Sequence, residues 1–273
     1  MATLMNPTLA SRSVQRVRHP LKARLVEVLR TRPISPHFIG ITLGGESLHD
    51  FVSASFDDHV KLMLPPAPGA PLVLPVQGPD GPVMPSGMAR PVMRDYTPRR
   101  FDAAACELDI EFALHGVGPA ADWAVQAVPG QPVGLGGPRG SFVVPVDYDW
   151  HLLIGDETAL PAIARRLEEL PAGARVIALV ETSDPADRRE LFTRAQLQMT
   201  WLPKPAAGAS NGLAAATERL SLPAGEGYAW AAGEASAMAA VRRVLTGPLG
   251  LDKDHVRAAA YWKHGAIAHH ETL

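Results

Sequence analysis

The sequence predicts a small antiparallel β-barrel followed by an α/β domain built on a doubly wound parallel sheet. Short strands broken by proline and glycine fill the first half of the 273 residues, a pattern typical of antiparallel barrels. Apolar strands alternate with helical stretches after about Val146, as expected for a parallel sheet covered on both faces. We therefore expect a flexible leader over residues 1–17 and domains over residues 18–146 and 147–273.

In the first half, "CELDIEFALHG" alternates most cleanly between apolar and polar residues, and Cys106 at its start is expected to pack in a core as a small hydrophobe. "DHVKLML" alternates in the same way and leaves Lys61 on its polar side. "FIGITL" and "QPVGLGG" predict two further strands. The segment from Pro65 to Pro91 is too rich in proline and glycine for a core strand, so it predicts a long surface excursion.

The second half predicts five strands separated by three helices. The predicted strands are "WHLLIG", "ARVIALVE", "MTWLP", "GYAWAAG" and "HVRAAAYWKHG". The predicted helices are "TALPAIARRLEEL", "NGLAAATERL" and "EASAMAAVRRVL". The turns where parallel strands end and helices begin are suited to binding phosphate groups.

Composition excludes several classes of function. The net charge of −2 argues against a broad nucleic-acid-binding surface. The single cysteine excludes an internal disulfide and a cysteine-ligated iron–sulfur cluster. No apolar run reaches the length of a membrane span, and the leader lacks the apolar core of a signal peptide. We therefore expect a cytoplasmic monomer without stable membrane insertion. The histidines near the C-terminus have no second cluster at metal spacing, so no metal site is expected.

An arginine-rich stretch, "PVMRDYTPRRFD", is unusual in a slightly acidic chain. On an extended strand Arg94 and Tyr96 point the same way and Thr97 points the opposite way. A flavin dinucleotide would use these residue types, since its pyrophosphate suits a guanidinium and its ring suits an aromatic face. A charged edge strand with solvated arginines fits the same spacing, and the stretch alone does not separate the two interpretations.

A second motif, "HGVGPAADWAVQA", leaves a strand, turns through Gly116 and Gly118, and enters a helix with Pro119 in its first turn. The exposed backbone N–H groups and the positive end of the helix would form a phosphate seat. An ordinary strand–turn–helix connection also fits this motif.

Six motifs in sequence order resemble the siderophore-interacting protein family, which comprises FAD-dependent ferric-siderophore reductases of the ferredoxin-reductase superfamily. They are "MRDYTPRRFD", "HGVGPAADWA", "GGPRGSF", "LLIGDETALPAI", "AWAAGE" and "YWKHG". The resemblance runs from Arg18 to Gly265 and implies an N-terminal FAD-binding barrel and a C-terminal NAD(P)H-binding domain. It implies that Arg94 belongs to the flavin motif, that Tyr96 lies against the isoalloxazine, and that Thr97 lies near its N5 atom.

The same resemblance implies that backbone amides of the "HGVGPAA" turn bind the FAD pyrophosphate. The residues concerned are His115, Gly116, Gly118, Pro119, Ala120 and Ala121. Many relatives have a hydroxyl residue just after the Gly-Pro pair, whereas this chain has two alanines. The expected seat therefore depends on the amides.

The nicotinamide nucleotide is expected at the strand ends of the second domain. "GDETALPAI" lacks the G-x-G-x-x-G fingerprint, but Gly155 and Thr158 still form a nucleotide-phosphate turn of this superfamily; an ordinary loop capped by Thr158 is the alternative. Asp156 and Glu157 make this turn acidic, and we expect them to cap the helix. Gly233 and Glu234 end another strand that faces the same cleft.

The choice between NADH and NADPH depends on three residues. Glu181 ends the second strand of this domain, where a carboxylate can hold ribose hydroxyls and favour NADH. Arg188 and Arg189 follow shortly and would accept the 2′-phosphate of NADPH, unless they are solvated surface charges. We expect NADPH on this basis.

The resemblance further implies a basic cluster beside the flavin, formed by Lys61, Arg139 and Lys263, that binds an anionic ferric siderophore. Relatives often have arginine where Lys263 stands, and three unrelated surface charges are the alternative. The predicted activity passes electrons from NAD(P)H through FAD to siderophore-bound Fe(III) and releases Fe(II). Two alternatives stay open: a related enzyme whose acceptor is a ferredoxin, flavodoxin or quinone, and a non-catalytic siderophore-binding flavoprotein.

Overall fold

Eleven strands and one helix form the N-terminal half of the described chain. The computed structural model describes residues 12–79, 81–114, 118–205, 212–266 and 271–272. The elements of this half are β1 (Gln15–Arg18), β2 (Ala23–Ser35), β3 (Phe38–Gly44), β4 (Val60–Leu64), β5 (Val76–Gly78), β6 (Gly81–Val83), β7 (Val92–Tyr96), β8 (Arg100–Asp102), β9 (Glu107–Ala113), α1 (Pro119–Gln126), β10 (Pro132–Gly136) and β11 (Gly140–Val143).

Seven of these strands form one antiparallel sheet in the order β7-β4-β10-β2-β3-β9-β8. The sheet curls on itself, as shown by the distance of 4.3 Å between the ring centroids of Tyr96 on β7 and Phe112 on β9. Leu108, Ile110 and Phe112 are fully buried on alternate positions of β9, and α1 closes the core with Trp123. The antiparallel architecture predicted from alternation is confirmed.

The alternation predicts that Cys106 is the first residue of β9, but the strand begins at Glu107. It lies in the turn before the strand with φ 53° and is half-buried at the edge of the core. The Asp102 carboxylate accepts hydrogen bonds from the amides of Ala104 and Ala105. This side-chain turn reverses the chain between β8 and β9, so the strand begins one residue later.

The excursion from Pro65 to Pro91 leaves the barrel between β4 and β7, as predicted. Within its described residues, β5 pairs with β6 and with no other strand. We call this segment, residues 65–91, the proline arm. The side chain of Leu74 packs directly over Gly134 of β10, where a Cβ atom would leave it no room. The proline arm therefore lies against the outer face of the barrel.

The expected leader is partly folded. β1 pairs antiparallel with β11, from Gln15 opposite Val143 to Arg18 opposite Gly140. Arg12 binds the Asp149 carboxylate at 3.2 Å. The prediction that residues up to 17 form a flexible leader is thus wrong for residues 12–17, because β11 offers an edge whose unpaired N–H and C=O groups the short "QRVR" segment satisfies.

The C-terminal half is a six-stranded sheet with helices on both faces. Its elements are β12 (Trp150–Asp156), α2 (Leu160–Glu169), β13 (Arg175–Thr182), β14 (Gln196–Pro203), α3 (Gly212–Glu218), β15 (Gly227–Glu234), α4 (Ala235–Thr246), β16 (Val256–Trp262) and β17 (Glu271–Thr272). The order is β14-β13-β12-β15-β16-β17, and only the last pair is antiparallel.

Burial on both faces explains the continuous apolar strands of this half. Ile163 and Leu167 of α2 pack on one face of the sheet, and Met238 and Val241 of α4 pack on the other. The doubly wound parallel sheet predicted from the sequence is therefore confirmed. No helix among the described residues combines the length and hydropathy needed to cross a membrane.

A buried carboxylate joins the two halves. Asp57 lies in the loop before β4, and its side chain accepts hydrogen bonds from Trp230 Nε1 at 2.9 Å and from Arg257 Nε. It also accepts one from the Tyr261 hydroxyl at 3.5 Å. Since these partners lie on β15 and β16, Asp57 fixes the parallel sheet against the barrel.

We expect Asp57→Ala to lower stability strongly. The change leaves Arg257 and the Trp230 indole without their acceptor, and breaking a buried ion pair costs about 3–5 kcal/mol. Urea unfolding followed by tryptophan fluorescence measures the effect. Glu107→Ala, which removes the half-buried carboxylate that pairs with Arg30 at the surface, is the matched control and should leave the midpoint nearly unchanged. Equal midpoints for the two variants would show that Asp57 does not join the halves.

Candidate functional site

A cleft of about 290 Å³ opens between the barrel and the parallel sheet. Its barrel wall comes from β4, β7 and β9, and its other wall comes from the turn after β12 and the end of β16. The residues that line these walls include Lys61, Arg94, Tyr96, Thr97, Thr158 and Trp262. The cleft therefore lies at the carboxyl ends of parallel strands, where ligands of open α/β sheets bind.

On the barrel wall, β7 pairs with β4 so that Tyr96 lies opposite Val60 and Arg94 opposite Leu62. The Arg94 guanidinium donates to the Met93 carbonyl at 2.8 Å and has no carboxylate partner among the described residues. Burial raises the pKa of the Tyr96 phenol well above its ordinary value, so the phenol stays neutral. This wall offers an uncommitted cation next to an aromatic face.

The opposite wall is held by Asp156 at the end of β12. Its carboxylate accepts from the Thr158 amide at 2.9 Å and from Trp262 Nε1 at 2.8 Å. It also accepts from the amide of Glu234 at 2.9 Å. Gly233 has φ +153°, and a Cβ there would lie 2.6 Å from the Asp156 carboxylate. The glycine permits the close approach that fixes the Trp262 indole in the cleft wall.

Carboxylates also gather at the ends of β12 and β13. Glu157 accepts from the amide and the hydroxyl of Ser183, each at 2.7 Å, and lies 3.4 Å from Lys204 Nζ. Burial, followed by the charges of Asp156 and Glu157, raises the pKa of Glu181 to about 7, against the opposing charge of Lys204. This end of the sheet is acidic at neutral pH.

Two protein-family models match the chain. One, described as the siderophore-interacting FAD-binding domain, matches residues 27–142. The other, described as siderophore-interacting protein, matches residues 148–265. The chain belongs to the siderophore-interacting protein family. The family predicted from six ordered motifs is confirmed.

Three similar proteins agree with this assignment to the siderophore-interacting family. The NADPH-dependent ferric-chelate reductase of Escherichia coli (strain K12) is 41% identical over 251 residues, 91% of this chain and 96% of that protein. Ferric vibriobactin reductase ViuB of Vibrio cholerae serotype O1 is 34% identical over 253 residues, 91% of this chain and 93% of that protein. The crystal structure of a siderophore utilization protein from T. fusca matches with a TM-score of 0.85 at 38% identity, covering 94% of this chain and 98% of that one.

The residues of the barrel wall fit the FAD of this family. The Arg94 guanidinium is available to a phosphate, and Tyr96 offers an apolar ring face. Gly118, at the N-cap of α1, has extended backbone (φ −179°, ψ 146°) and caps the helix with no side chain. The amides of Ala120 and Ala121, in the first turn of α1, are therefore suited to an anion, whereas Pro119 has no N–H. His115 and Gly116 lie outside the described residues.

On the nicotinamide side, two predicted glycines shape the backbone. A Cβ at Gly155 would lie 2.5 Å from the Ala159 Cβ and 2.8 Å from the Ala232 carbonyl oxygen, so the glycine lets the turn pack on the sheet. Gly233 accommodates Asp156, as described above. Both glycines therefore let the residues behind the cleft walls pack closely, and neither of them lines the cleft.

The two polar residues predicted beside these glycines make caps. Thr158 lines the cleft, but its hydroxyl donates to Asp156 at 2.5 Å. Asp156 caps the 3₁₀ turn that precedes α2 rather than α2 itself. Glu157, which the sequence also predicts as a helix cap, bonds Ser183 instead. Glu234 caps α4 by accepting from the Ala237 amide at 3.0 Å. Glu234 does not line the cleft.

The structure separates the two arginines predicted to bind a 2′-phosphate. Arg189 forms an ion pair with Glu111 of β9 and stacks over the Phe38 ring at 5.0 Å. Its guanidinium is therefore engaged between the two halves, contrary to the role expected from sequence. Arg188 is exposed after β13, so it is the candidate that remains for binding the 2′-phosphate of NADPH.

The three predicted basic residues also differ in position. Lys61 lines the cleft and binds the Asp95 carboxylate at 2.7 Å. Arg139 lines a second, adjoining cavity that also contains Lys61. Lys263 is exposed in the turn after β16, and its carbonyl accepts from the amide of Ala266, which lines the cleft. The fold brings Lys61 and Arg139 to one cavity and leaves Lys263 at the cleft margin.

Two carboxylates that hold the site are not assigned this role by sequence. Asp156 reads as a cap, yet it also bonds residues 78 and 106 positions away. Asp57 bonds Trp230, which is 173 positions away. One feature of the sequence could have indicated the role of Asp156. The turn "GDET" contains two carboxylates, and a single helix cap requires only one.

We expect Arg94→Ala to weaken FAD retention. A charge-assisted hydrogen bond contributes roughly 1.5–3 kcal/mol, which corresponds to at least about a tenfold rise in the FAD dissociation constant. Reconstitution of deflavinated protein followed by FAD fluorescence measures it. Arg100→Ala, on β8, is the control because Arg100 is exposed and does not line the cleft. Unchanged FAD affinity in Arg94→Ala would rule out a phosphate contact.

We expect Glu181→Gln to stabilise the protein at alkaline pH. The pKa of Glu181 is raised from 4.5 to about 7 in the folded state, so the stability gained from its protonated form is complete below pH 4.5 and is lost as the pH rises through 7. The melting temperature of the variant should exceed that of the wild type at pH 8.5 and match it near pH 4.5. Glu190→Gln, at an exposed position, should show no such divergence. A constant difference across the pH range would contradict the buried charge.

Proposed function

We propose that this protein is a ferric-siderophore reductase that passes electrons from NADPH through FAD to siderophore-bound Fe(III) and releases Fe(II). The observation that carries the proposal is one cleft with the Arg94, Tyr96 and Thr97 flavin wall on one side, the strand ends of a parallel sheet on the other, and a cationic cavity adjoining it. The related reductases of E. coli and V. cholerae act on ferric chelates, as their names state.

FAD supplies the redox chemistry when bound, since a flavin accepts a hydride and can donate electrons singly. The residues of the protein bind and orient the FAD. Arg94 and the first turn of α1 hold phosphates, and Tyr96 and Thr97 position the ring. Trp262, fixed by Asp156, covers the opposite side of the cleft and excludes water. No side chain has to move a proton for electron transfer to a ferric chelate, so the proposal assigns no general acid or base.

NADPH is the proposed donor. The relative that is 41% identical is named as NADPH-dependent, and the exposed Arg188 follows β13, where the adenosine ribose of a dinucleotide binds in doubly wound folds. Glu181 at the end of the same strand is buried and has a pKa of about 7. A partly protonated, desolvated carboxylate is a weaker ribose ligand than an ionised one, which favours NADPH over NADH.

The substrate is an anionic ferric siderophore attracted by Lys61, Arg139 and Lys263. A chain with net charge −2 needs such local positive charge to attract an anionic chelate. We also propose that the protein is a cytoplasmic monomer and that it does not bind nucleic acid. The proposed domain boundary lies between residues 146 and 147. It is supported by the end of β11 at Val143 and the start of β12 at Trp150.

An anaerobic absorption experiment tests this function. The purified protein should carry FAD, NADPH should bleach its band near 450 nm faster than NADH does, and a ferric siderophore should restore the band while an Fe(II) indicator develops colour. Ferredoxin, flavodoxin and quinone are tested in parallel as alternative acceptors. Faster reoxidation by one of these than by the chelate would replace the substrate assignment. Chelate binding without any bleaching by NADPH or NADH would indicate a siderophore-binding flavoprotein instead.

A further inference from the structure

Two consecutive residues of β16, Tyr261 and Trp262, both line the cleft. Successive side chains of a regular strand point to opposite faces of its sheet. The pairing of β16 with β15 skips one residue here, since Ala260 and Trp262 lie opposite consecutive residues of β15. Tyr261 is therefore the extra residue of a β-bulge, and the bulge turns its side chain into the cleft.

The Tyr261 hydroxyl lies where the two halves of the protein meet. It donates to the buried Asp57 carboxylate at 3.5 Å, and the ring packs edge-on against Trp230 with 6.3 Å between ring centroids. The hydroxyl also forms a hydrogen bond with the side chain of Thr97, the buried residue that follows β7. Burial, followed by the charge of Asp57, raises the pKa of the Tyr261 phenol well above its ordinary value. The phenol therefore keeps its proton at neutral pH.

The number of protons fixes the direction of these hydrogen bonds. The Asp57 carboxylate is paired with the Arg257 guanidinium and accepts from Trp230 Nε1, and an ionised carboxylate has no proton to donate. A hydroxyl carries one proton and can also accept through its oxygen. Tyr261 therefore donates to Asp57 and accepts from Thr97. Because the only hydroxyl proton of Thr97 is directed at Tyr261, Thr97 presents acceptor lone pairs to the cleft.

The two oxidation states of a flavin present opposite groups at the N5 atom. N5 of the oxidised flavin is an unprotonated nitrogen that accepts hydrogen bonds, whereas N5 of the reduced flavin carries a proton and donates one. An oxygen that can only accept bonds the reduced form and leaves N5 of the oxidised form without a donor. A Thr97 hydroxyl held in this orientation therefore stabilises the reduced flavin relative to the oxidised flavin.

We propose that Tyr261 is a positioning residue that orients the Thr97 hydroxyl as an acceptor and thereby raises the midpoint potential of the bound FAD. This inference rests on the proposed function, because it uses the position proposed there for the flavin ring beside Thr97. Tyr261 belongs to the parallel sheet and Thr97 to the barrel. The nicotinamide-binding half of the protein thus adjusts the potential of a cofactor that the other half holds, and a higher potential favours electron transfer from NADPH to FAD.

An anaerobic reductive titration of the FAD-loaded protein against a reference dye measures this potential. Tyr261→Phe frees the Thr97 proton to bond N5 of the oxidised flavin. The dissociation constant of oxidised FAD divided by that of reduced FAD should fall roughly tenfold, which lowers the two-electron potential by about 30 mV. Tyr228→Phe is the matched control, because Tyr228 is buried in β15 and does not line the cleft. It should leave the potential unchanged, and an equal shift in both variants would overturn the inference.

A double-mutant cycle with Thr97→Val separates positioning from a direct effect of Tyr261 on the flavin. Thr97→Val removes the acceptor and should itself lower the potential. Tyr261→Phe should then add no further shift, because Tyr261 acts through the Thr97 hydroxyl. Thr97→Ser keeps the hydroxyl and should retain the wild-type potential. A full Tyr261→Phe shift in the Thr97→Val background would refute the positioning role, and so would the absence of a shift in the wild-type background.

The Thr97→Val variant also distinguishes the inference from the proposed function. If Thr97→Val lowers the potential and Tyr261→Phe does not, the inference fails and the flavin ring lies beside Thr97 as proposed. If Thr97→Val leaves the potential and the FAD affinity at their wild-type values, the proposed flavin wall is wrong and the inference fails with it. Where a variant binds FAD too weakly for the titration, ultrafiltration with oxidised and dithionite-reduced FAD gives the same ratio of dissociation constants. Reduction of a ferric chelate by the wild-type protein and NADPH tests the reductase function independently.

Discussion

Two buried carboxylates, Asp57 and Asp156, hold the site together. Asp57 belongs to the barrel and bonds the indole of Trp230 and the guanidinium of Arg257. Asp156 belongs to the parallel sheet and bonds the indole of Trp262. Together they fix both ends of β16 relative to the flavin wall. Each carboxylate is nearly excluded from water, so losing these hydrogen bonds would leave a buried charge unpaired at a high cost in free energy. The bonds therefore hold the two walls of the cleft at a fixed distance.

The same two halves distribute charge unequally around the cleft. Carboxylates of Asp156, Glu157 and Glu181 gather at the strand ends of the parallel sheet, relieved only in part by Lys204. The second cavity, which adjoins the cleft on the barrel side, is lined by Lys22, Lys61, Arg90 and Arg139 and by no carboxylate among the described residues. The proposed anionic chelate is therefore attracted to the barrel side. The proposed NADPH site lies near the acidic end, where the raised pKa of Glu181 lowers the repulsion at neutral pH.

A large part of this architecture is predictable because it depends on local periodicity. The alternation in "CELDIEFALHG" predicts the half-buried β9, and the continuous apolar runs predict β12, β13 and β15. Proline and glycine density predicts the proline arm. The family follows from six short motifs in order. The failures are of two kinds. The turn at Cys106 depends on the nearby Asp102 carboxylate, whereas the pairing of β1 depends on the edge of β11, which is distant in the sequence.

The sequence by itself determined the two fold classes and the family, because strand and helix periods and short ordered motifs are properties of neighbouring residues. Tertiary structure alone decided which charges are available to ligands. Arg188 and Arg189 are adjacent, yet the fold pairs the half-buried Arg189 with Glu111 and Phe38 and leaves Arg188 exposed. Lys22, Arg90 and Arg139 are far apart in the chain and line one groove because the proline arm folds back over β10. A charge on a linear sequence has no fixed partner, and only the folded chain sets the distance and burial that determine whether it pairs internally or binds a ligand.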